Sequence, residues 1–458
     1  LSAIMNQESK ITIGTFFLNG GGSNSFRTLF PVIGLPTNLQ GEYAQVTDIK
    51  YNPALPGTEG LYEYVLFGNK AYVSRYRGPY GNRTSSTLTM PDTLGGADII
   101  RCSDFMFSNY GGGWNVTYNA TAYNYGFVSI TFPSTLVETG AYVLYSNNSN
   151  YQNWPDIKRV SFGSALTTFG QGSFQGCGTL EYLGFGSSLT TIGTSAFLGC
   201  DNMIIVTSQT DKNANWASSY NDARVPFVFD DSSYADPNHL ILNPNTYDYV
   251  IDGGKMQIAR FNDYSAIEFT IPEVVSTPSG SKTVSGIADY AFKNKVNLQK
   301  LSIESSSIKR IGAILYGCSG IKELNLPFLG LSRNASGANG KLDVIFVGKN
   351  ASLTTLNVKY SAGGGDTDVN IVANAINEYT GLQKITISGP VISIGVAAFN
   401  TLAQLRYLII DTTKATFTAP LANADGVILS GSNQLINLVI PKISTINNLW
   451  TTAGTAPT

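Results

Sequence analysis

The chain has 458 residues, of which only 13% are charged, and its formal net charge at pH 7 is −2. With no basic run it offers nucleic acid no electrostatic footprint, and no stretch approaches the roughly 18 consecutive apolar residues that a membrane-spanning helix needs. So little charge, with abundant Gly, Asn, Ser, Thr and Tyr, suits an exported protein, and an opening residue other than Met fits a targeting segment already absent.

In chain order, Leu1, Ile4, Ile13, Gly14 and Phe17 carry the spacing that returns at Leu180, Leu183, Ile192, Gly193 and, one residue later in the unit, Phe197. Residues 1–45 are therefore expected to form an N-terminal repeat unit. After Leu35 and Pro36 the pattern stops. From Tyr62 a different element begins, in which Tyr64, Val65, Lys70, Arg75 and Tyr76 are answered at a constant offset of 185 by Tyr249, Val250, Lys255, Arg260 and Phe261. Both stretches read as β-hairpins, each followed by a Pro-marked strand, Leu88-Thr89-Met90-Pro91 and Phe269-Thr270-Ile271-Pro272. The offset predicts two blocks, 60–206 and 247–458, each with a hairpin header and joined by a connection over 207–246.

Residues 108–126 interrupt the first block with an insertion rich in Tyr, Asn and Gly. Insertions in repeat arrays fall on loops of one face, so Tyr110, Trp114, Tyr118 and Tyr123 are expected to project. Aromatic side chains with a polar handle suit protein or sugar contact, unless they serve to pack the insertion down.

The most regular stretch runs from Ile157 to Val206. Ile157, Val160, Phe162, Leu166, Phe169, Gly170, Phe174, Gly176 and Cys177 are matched at a spacing of 23 residues by Leu180, Leu183, Phe185, Leu189, Ile192, Gly193, Phe197, Gly199 and Cys200. A period in the twenties marks a solenoid, whose repeats bury their apolar side only against neighbouring repeats. Alternation sends Leu183 and Phe185 to one face and Gly184 to the other. Gly193 suits a corner where a side chain would clash or φ would be positive. Phe174 and Phe197 are expected to fill adjacent layers.

The run Thr191-Ile192-Gly193-Thr194-Ser195-Ala196-Phe197-Leu198-Gly199-Cys200 is echoed by Ile287-Ala288-Asp289-Tyr290-Ala291-Phe292 and Ile394-Gly395-Val396-Ala397-Ala398-Phe399. It resembles the BspA-type leucine-rich repeat family of bacterial and protist surface proteins. The resemblance implies a leucine-rich repeat array and a place at a surface, with no shared catalytic residues to carry over. Cys102, Cys177, Cys200 and Cys318 are spread singly, the last three following Phe174, Phe197 and Tyr316 at one place in the repeat. They are expected to be buried free thiols, not a disulfide framework.

In the second block strands are predicted at Leu298/Leu301/Ile303, Ile321/Leu324/Leu326, Leu353/Leu356/Val358, Leu382/Ile385/Ile387, Leu405/Leu408/Ile410 and Leu435/Leu438/Ile440, with insertions after Leu326, Val358 and Ile410. Little in the chain suggests chemistry. His239, the single histidine, is expected in a solvated part of the connection beside Asp236 and Pro237, away from any nucleophile. Residues 363–368, Gly-Gly-Gly-Asp-Thr-Asp, faintly resemble a calcium-binding turn but occur once and are expected to be a flexible loop. No catalytic, cofactor-binding or metal residue is expected. Asn82, Asn115, Asn119, Asn147, Asn334 and Asn350 head glycosylation sequons, a number that chance alone would supply in so Asn-, Ser- and Thr-rich a chain.

The outward residue of successive strands is Ser161, Gly184, Ser302, Asn325, Asn357 and Thr386, then Ile409 and Val439. The exposed face thus turns apolar toward the C-terminus, which makes Ile409 and Val439 candidate contacts unless a loop from residues 411–431 covers them. Leu1 and Trp450 lie in terminal repeats without an obvious charged cap, so stacking of the two ends is a further route to self-association. The reading that results is a β-rich solenoid, a leucine-rich repeat array in two blocks, non-enzymatic and needing no cofactor. It would bind protein or glycan at a cell surface or outside the cell. Self-assembly into a fibre or surface layer is the alternative, and a glycan-active enzyme the third.

Overall fold

A computed structural model describes residues 61–67, 69–76, 86–104, 106–107, 127–145, 157–361, 364–414 and 434–439, with the backbone of Asp48–Lys50. By internal contacts the chain divides into two compact units, Leu1–Val225 with Phe229–Asn238, and Pro226–Val228 with His239–Thr458.

In the first unit the strands Ser86–Thr89, Phe127–Thr131, Arg159–Ser161, Tyr182–Phe185 and Ile204–Thr207 stack in parallel. Each coil turns the same way and returns to the same face, so neighbouring strands must be parallel. Leu88, Ile130, Val160, Leu183 and Ile205 follow one another in register, all buried. A second sheet sets Cys102, Thr139, Phe169 and Ile192 side by side. The third side has turns instead of strands, yet it also forms a ladder: Gly172 N, Phe174 N and Gly176 N donate to Thr194 O (3.0 Å), Ala196 O (2.9 Å) and Leu198 O (2.7 Å).

Left-handed backbone recurs in those turns. Gly172, Ser195, Tyr290 and Ala397 have φ of 57°, 53°, 61° and 55°, and Gly176, Gly199, Asn294 and Thr401 have φ of 82°, 76°, 61° and 58°. These are two left-handed positions per coil, flanking the large buried side chain. Gly193 is not one of them. It is required for space, since a Cβ there would lie 2.5 Å from Gln171 N in the preceding coil.

The core of the first unit is an aromatic stack. Phe132 and Phe162 stack at 4.4 Å, Phe169 meets Phe174 edge-on at 5.2 Å, and Phe174 stacks on Phe197 at 6.0 Å, with all five rings at 2% exposure or less. In the Cys318 coil this slot holds Leu315, which is fully buried; Tyr316, the residue suggested by sequence, is half-buried.

The second unit repeats the plan. Glu268–Ile271, Lys300–Ile303, Glu323–Leu326, Thr355–Lys359, Lys384–Gly389, Tyr407–Thr412 and Asn437–Val439 form one parallel sheet. Two antiparallel hairpins, Tyr62–Phe67 with Lys70–Tyr76 and Tyr247–Asp252 with Lys255–Phe261, have the same register and a bulge at the same point, Glu63/Tyr64 and Asp248/Tyr249. In each, the second strand pairs in parallel with the third strand after it in the chain, Ala97–Cys102 or Gly280–Ile287. The insertion after Leu326 packs down through the one-turn helix Asp343–Phe346, which buries Ile345 and Phe346.

The stretch 207–246 is more than a connection. Trp216 and Val225 are buried, Ala217 N donates to Ile192 O (2.9 Å) and Ser195 N to Ser219 O (3.0 Å), so residues 209–225 add one further coil to the first unit. The signal was hidden because that coil has Trp216-Ala217 where the coil before has Ile192-Gly193, and no Phe follows it before Val225.

Phe197→Ala removes a ring packed against Phe169 and Phe174 and is expected to cost about 3–5 kcal/mol in denaturant unfolding. In the second unit, burial alone would raise the Glu273 carboxyl. Ser307 Oγ (2.5 Å), Ser306 N (2.6 Å) and Ser306 Oγ (3.0 Å) donate to it and hold it below its ordinary 4.5. Its folded value is thus lower than its unfolded one, so its contribution is present above the ordinary value and is lost as pH falls through the folded value. Glu273→Gln is expected to flatten the acid side of the stability profile, measured by denaturant titrations across that range.

Candidate interaction surface

The outer faces of the two long sheets differ in what lies over them. In the first unit Ser161 and Gly184, expected to face outward into solvent, are buried. Residues 229–238 cross the sheet as a strap: Asp231 N donates to Thr207 O (3.1 Å), Tyr182 Oη to the Tyr234 carbonyl, and Arg159 Nη1 to Asn238 Oδ1 (2.6 Å). The strap touches three successive strands in turn. Gly184 lets it come this close, because a Cβ there would collide with the Tyr234 carbonyl. The expected outward position is thus correct, and its solvent exposure is overturned by the chain's own cover.

In the second unit the first half of the face is satisfied within itself. Asn325 Nδ2 donates to Ser302 Oγ (2.8 Å), Asn357 Nδ2 to Asn325 Oδ1 (2.7 Å), and Lys300 Nζ lies 3.1 Å from Glu323 Oε1. Burial would raise the Glu323 carboxyl, but the Asn325 amide and Lys300 hold it below the usual range. The second half has no such pairing. Thr386, Ile409 and Val439 lie in one row, and Lys384, Tyr407 and Asn437 in the next. Ile409 is half-buried, while Tyr407 is 40%, Val439 39% and the adjoining Ile436 68% exposed. Lys384 and Arg406 are exposed and form no ion pair among the described residues. Sequence reasoning named Ile409 and Val439 as candidates. It missed Lys384, Arg406, Tyr407 and Ile436, although the alternation that gave the first pair also marks Lys384 and Tyr407 as outward.

Other sequence candidates fall elsewhere. Tyr110, Trp114, Tyr118, Tyr123, Leu1 and Trp450 lie outside the described residues, as do Asn82, Asn115, Asn119 and Asn147. Asn334 is exposed. Asn350 is 6% exposed, donates to Cys318 O (2.9 Å) and accepts from Ser352 N (2.9 Å), so the folded chain has no accessible amide there for a glycan. His239 ends the short 3-10 turn Pro237–His239 and is half-buried, not solvated. The expected flexible loop before Asp368 is anchored: Asp366, 2% exposed, pairs with Arg333 and accepts from Ser361 N (2.8 Å). A cation would have to compete there with a guanidinium. Among the described residues no three His, Cys, Asp or Glu side chains converge.

Cys102, Cys177, Cys200 and Cys318 are buried and unpaired. Three of the thiols donate to a carbonyl of the preceding coil, Cys177 to Leu144 O (2.7 Å), Cys200 to Phe174 O (2.9 Å) and Cys318 to Phe292 O (2.8 Å). Burial pushes Cys200 up to about 12 and Cys318 up to about 11, and raises the other two as well. None is a thiolate at neutral pH.

The family model for the BspA-type leucine-rich repeat region matches in six copies over residues 116–214, 267–337 and 366–448, more than half of the chain. The chain belongs to the BspA-type leucine-rich repeat family. It is similar to the crystal structure of a T. pallidum leucine-rich repeat protein, at 14% identity over 60% of this chain and 82% of that one, with a TM-score of 0.25. A leucine-rich cell surface protein of Faecalibacterium prausnitzii is 18% identical over 78% of this chain and 94% of that one (TM-score 0.23). The pneumococcal vaccine antigen PcpA is 15% identical over 82% and 84% (TM-score 0.28). No curated protein matches the chain.

An aromatic-disulfide reagent is expected to label no cysteine in the native BspA-type fold and all four after unfolding, as read by thiolate release. Fast labelling of Cys200 in the native protein would contradict its place in the core.

Proposed function

We propose that this chain is a non-enzymatic protein, secreted or held at the cell surface, that binds other proteins through the outer face of the second unit's long sheet. One observation carries the reading. The second half of that face presents Tyr407, Ile409, Val439 and Ile436 with no described segment laid across it, whereas the equivalent face of the first unit is covered by its own chain. Stacked repeats make extended, continuous surfaces of this kind, and exposed apolar patches rimmed by polar groups mark contact sites. Membership of a family of surface proteins supports the location, and no described helix is long and apolar enough to cross a membrane.

Binding of the labelled protein to intact cells tests the reading. Tyr407→Ala with Val439→Asp is expected to lower cell binding at least tenfold with an unchanged unfolding midpoint, since both side chains stand outside the core. Unchanged binding would move the site elsewhere, with the Trp114 insertion the next place to mutate.

A further inference from the structure

We propose that the half of the second unit's face over which no described segment lies docks an extended acidic segment of a partner protein, carrying one apolar or aromatic side chain, laid across the strands as the 229–238 strap is laid across the first unit. The proposal rests on the protein-binding role above and names the chemistry of the ligand.

The argument is a duplicated pair of residues. In the first unit Arg159 and Tyr182 are direct neighbours on adjacent parallel strands, 23 residues apart. Both hold the strap, Arg159 through the Asn238 side chain and Tyr182 through the Tyr234 carbonyl. In the second unit Lys384 and Tyr407 are again direct neighbours on adjacent parallel strands, again 23 residues apart, on the same outward row. Here the cation and the phenol are exposed. A cation beside a phenol, at one strand spacing, grips an extended chain by charge and by a hydroxyl donated to a backbone carbonyl.

Charge selects the class of segment. The strap that occupies the first face contains Asp230, Asp231 and Asp236. Next to the gripping pair of that unit, Lys158 is neutralised by Glu181 at 2.8 Å. The corresponding neighbours in the second unit are Gln383 and Arg406, which cannot pair with each other, so among the described residues the second face carries a cation where the first carries an ion pair; Lys384 also acts on Glu323, which Lys300 already pairs. Size selects the anchor. Ile409 stands where the first face has Gly184, so a docked backbone is held farther off the sheet than the strap is, over the exposed Tyr407 hydroxyl. An apolar side chain of the partner would instead cover Ile409 and Val439.

The probe is a fluorescent ten-residue peptide with the sequence of residues 229–238, titrated into the full chain and followed by anisotropy. Saturable binding is expected, weakened at least tenfold by Lys384→Glu, several-fold by Tyr407→Phe and progressively by added salt, while Lys212→Glu, the same charge change at an exposed site on the other unit, leaves it unchanged. An Asp→Asn peptide should not bind. No saturable binding, or equal affinity in Lys384→Glu, overturns the proposal. Lys384→Glu that abolishes cell binding while the wild type ignores the peptide leaves the docking face standing and removes only the acidic ligand; loss of neither removes both readings. Sedimentation showing a Lys384-dependent dimer would make the occupant a second copy, and peptide binding seen only after deletion of residues 415–433 would make it the chain itself. Either result overturns the proposal.

Discussion

The packing of the repeats depends on one constraint: each coil must close onto the next in register. Because the strands are parallel and unshifted over most of their length, a side chain buried in one coil rests on its counterpart in the coil before. Val160, Leu183 and Ile205 are such a column, and Phe174 on Phe197 is another. The turns obey it too, which is why Gly172 N, Phe174 N and Gly176 N find carbonyls on the next coil although no strand is present. Buried backbone groups must be paired, and on this third side the turn pairs some of its own and the neighbouring coil takes the others.

The same constraint explains the small residues. Gly193 is small because the neighbouring backbone passes too close, and the left-handed residues of the turns appear because the chain must reverse within a few residues on either side of a large buried ring. Cysteine at the end of the turn is a compact filler whose thiol donates to the previous coil. Its burial removes the acidity that redox chemistry would need. These positions hold coils together.

What the constraint leaves unspecified is the outward row. No coil needs a given residue there, so the row varies from Gly184 to Asn325 to Ile409, and its chemistry is decided by whatever lies on top. In the first unit that is the strap, and the row beneath it is Ser161, Gly184 and Val206, all buried. The second unit's row divides into an amide ladder that satisfies itself and a stretch around Tyr407 that does not.

The repeat fold was legible because its signal is local and periodic: alternation within a strand, the Ile-Gly corner and the Phe that fills each layer all sit at fixed offsets along the chain. The paired hairpins were legible because one offset of 185 related them. The coil containing Trp216 was not, since it lacks both the Ile-Gly corner and the Phe of the coil before it, and the anchored Asp366 was not, since Arg333 lies 33 positions earlier with no period linking them. The sequence by itself determined which residues face in, because burial is repeated and repetition can be read in one dimension. Only the tertiary structure decided which outward residues are accessible, because the cover over Gly184 and Ser161 comes from a non-periodic segment some fifty or more residues away along the chain, and no spacing along the sequence records where such a segment comes to rest.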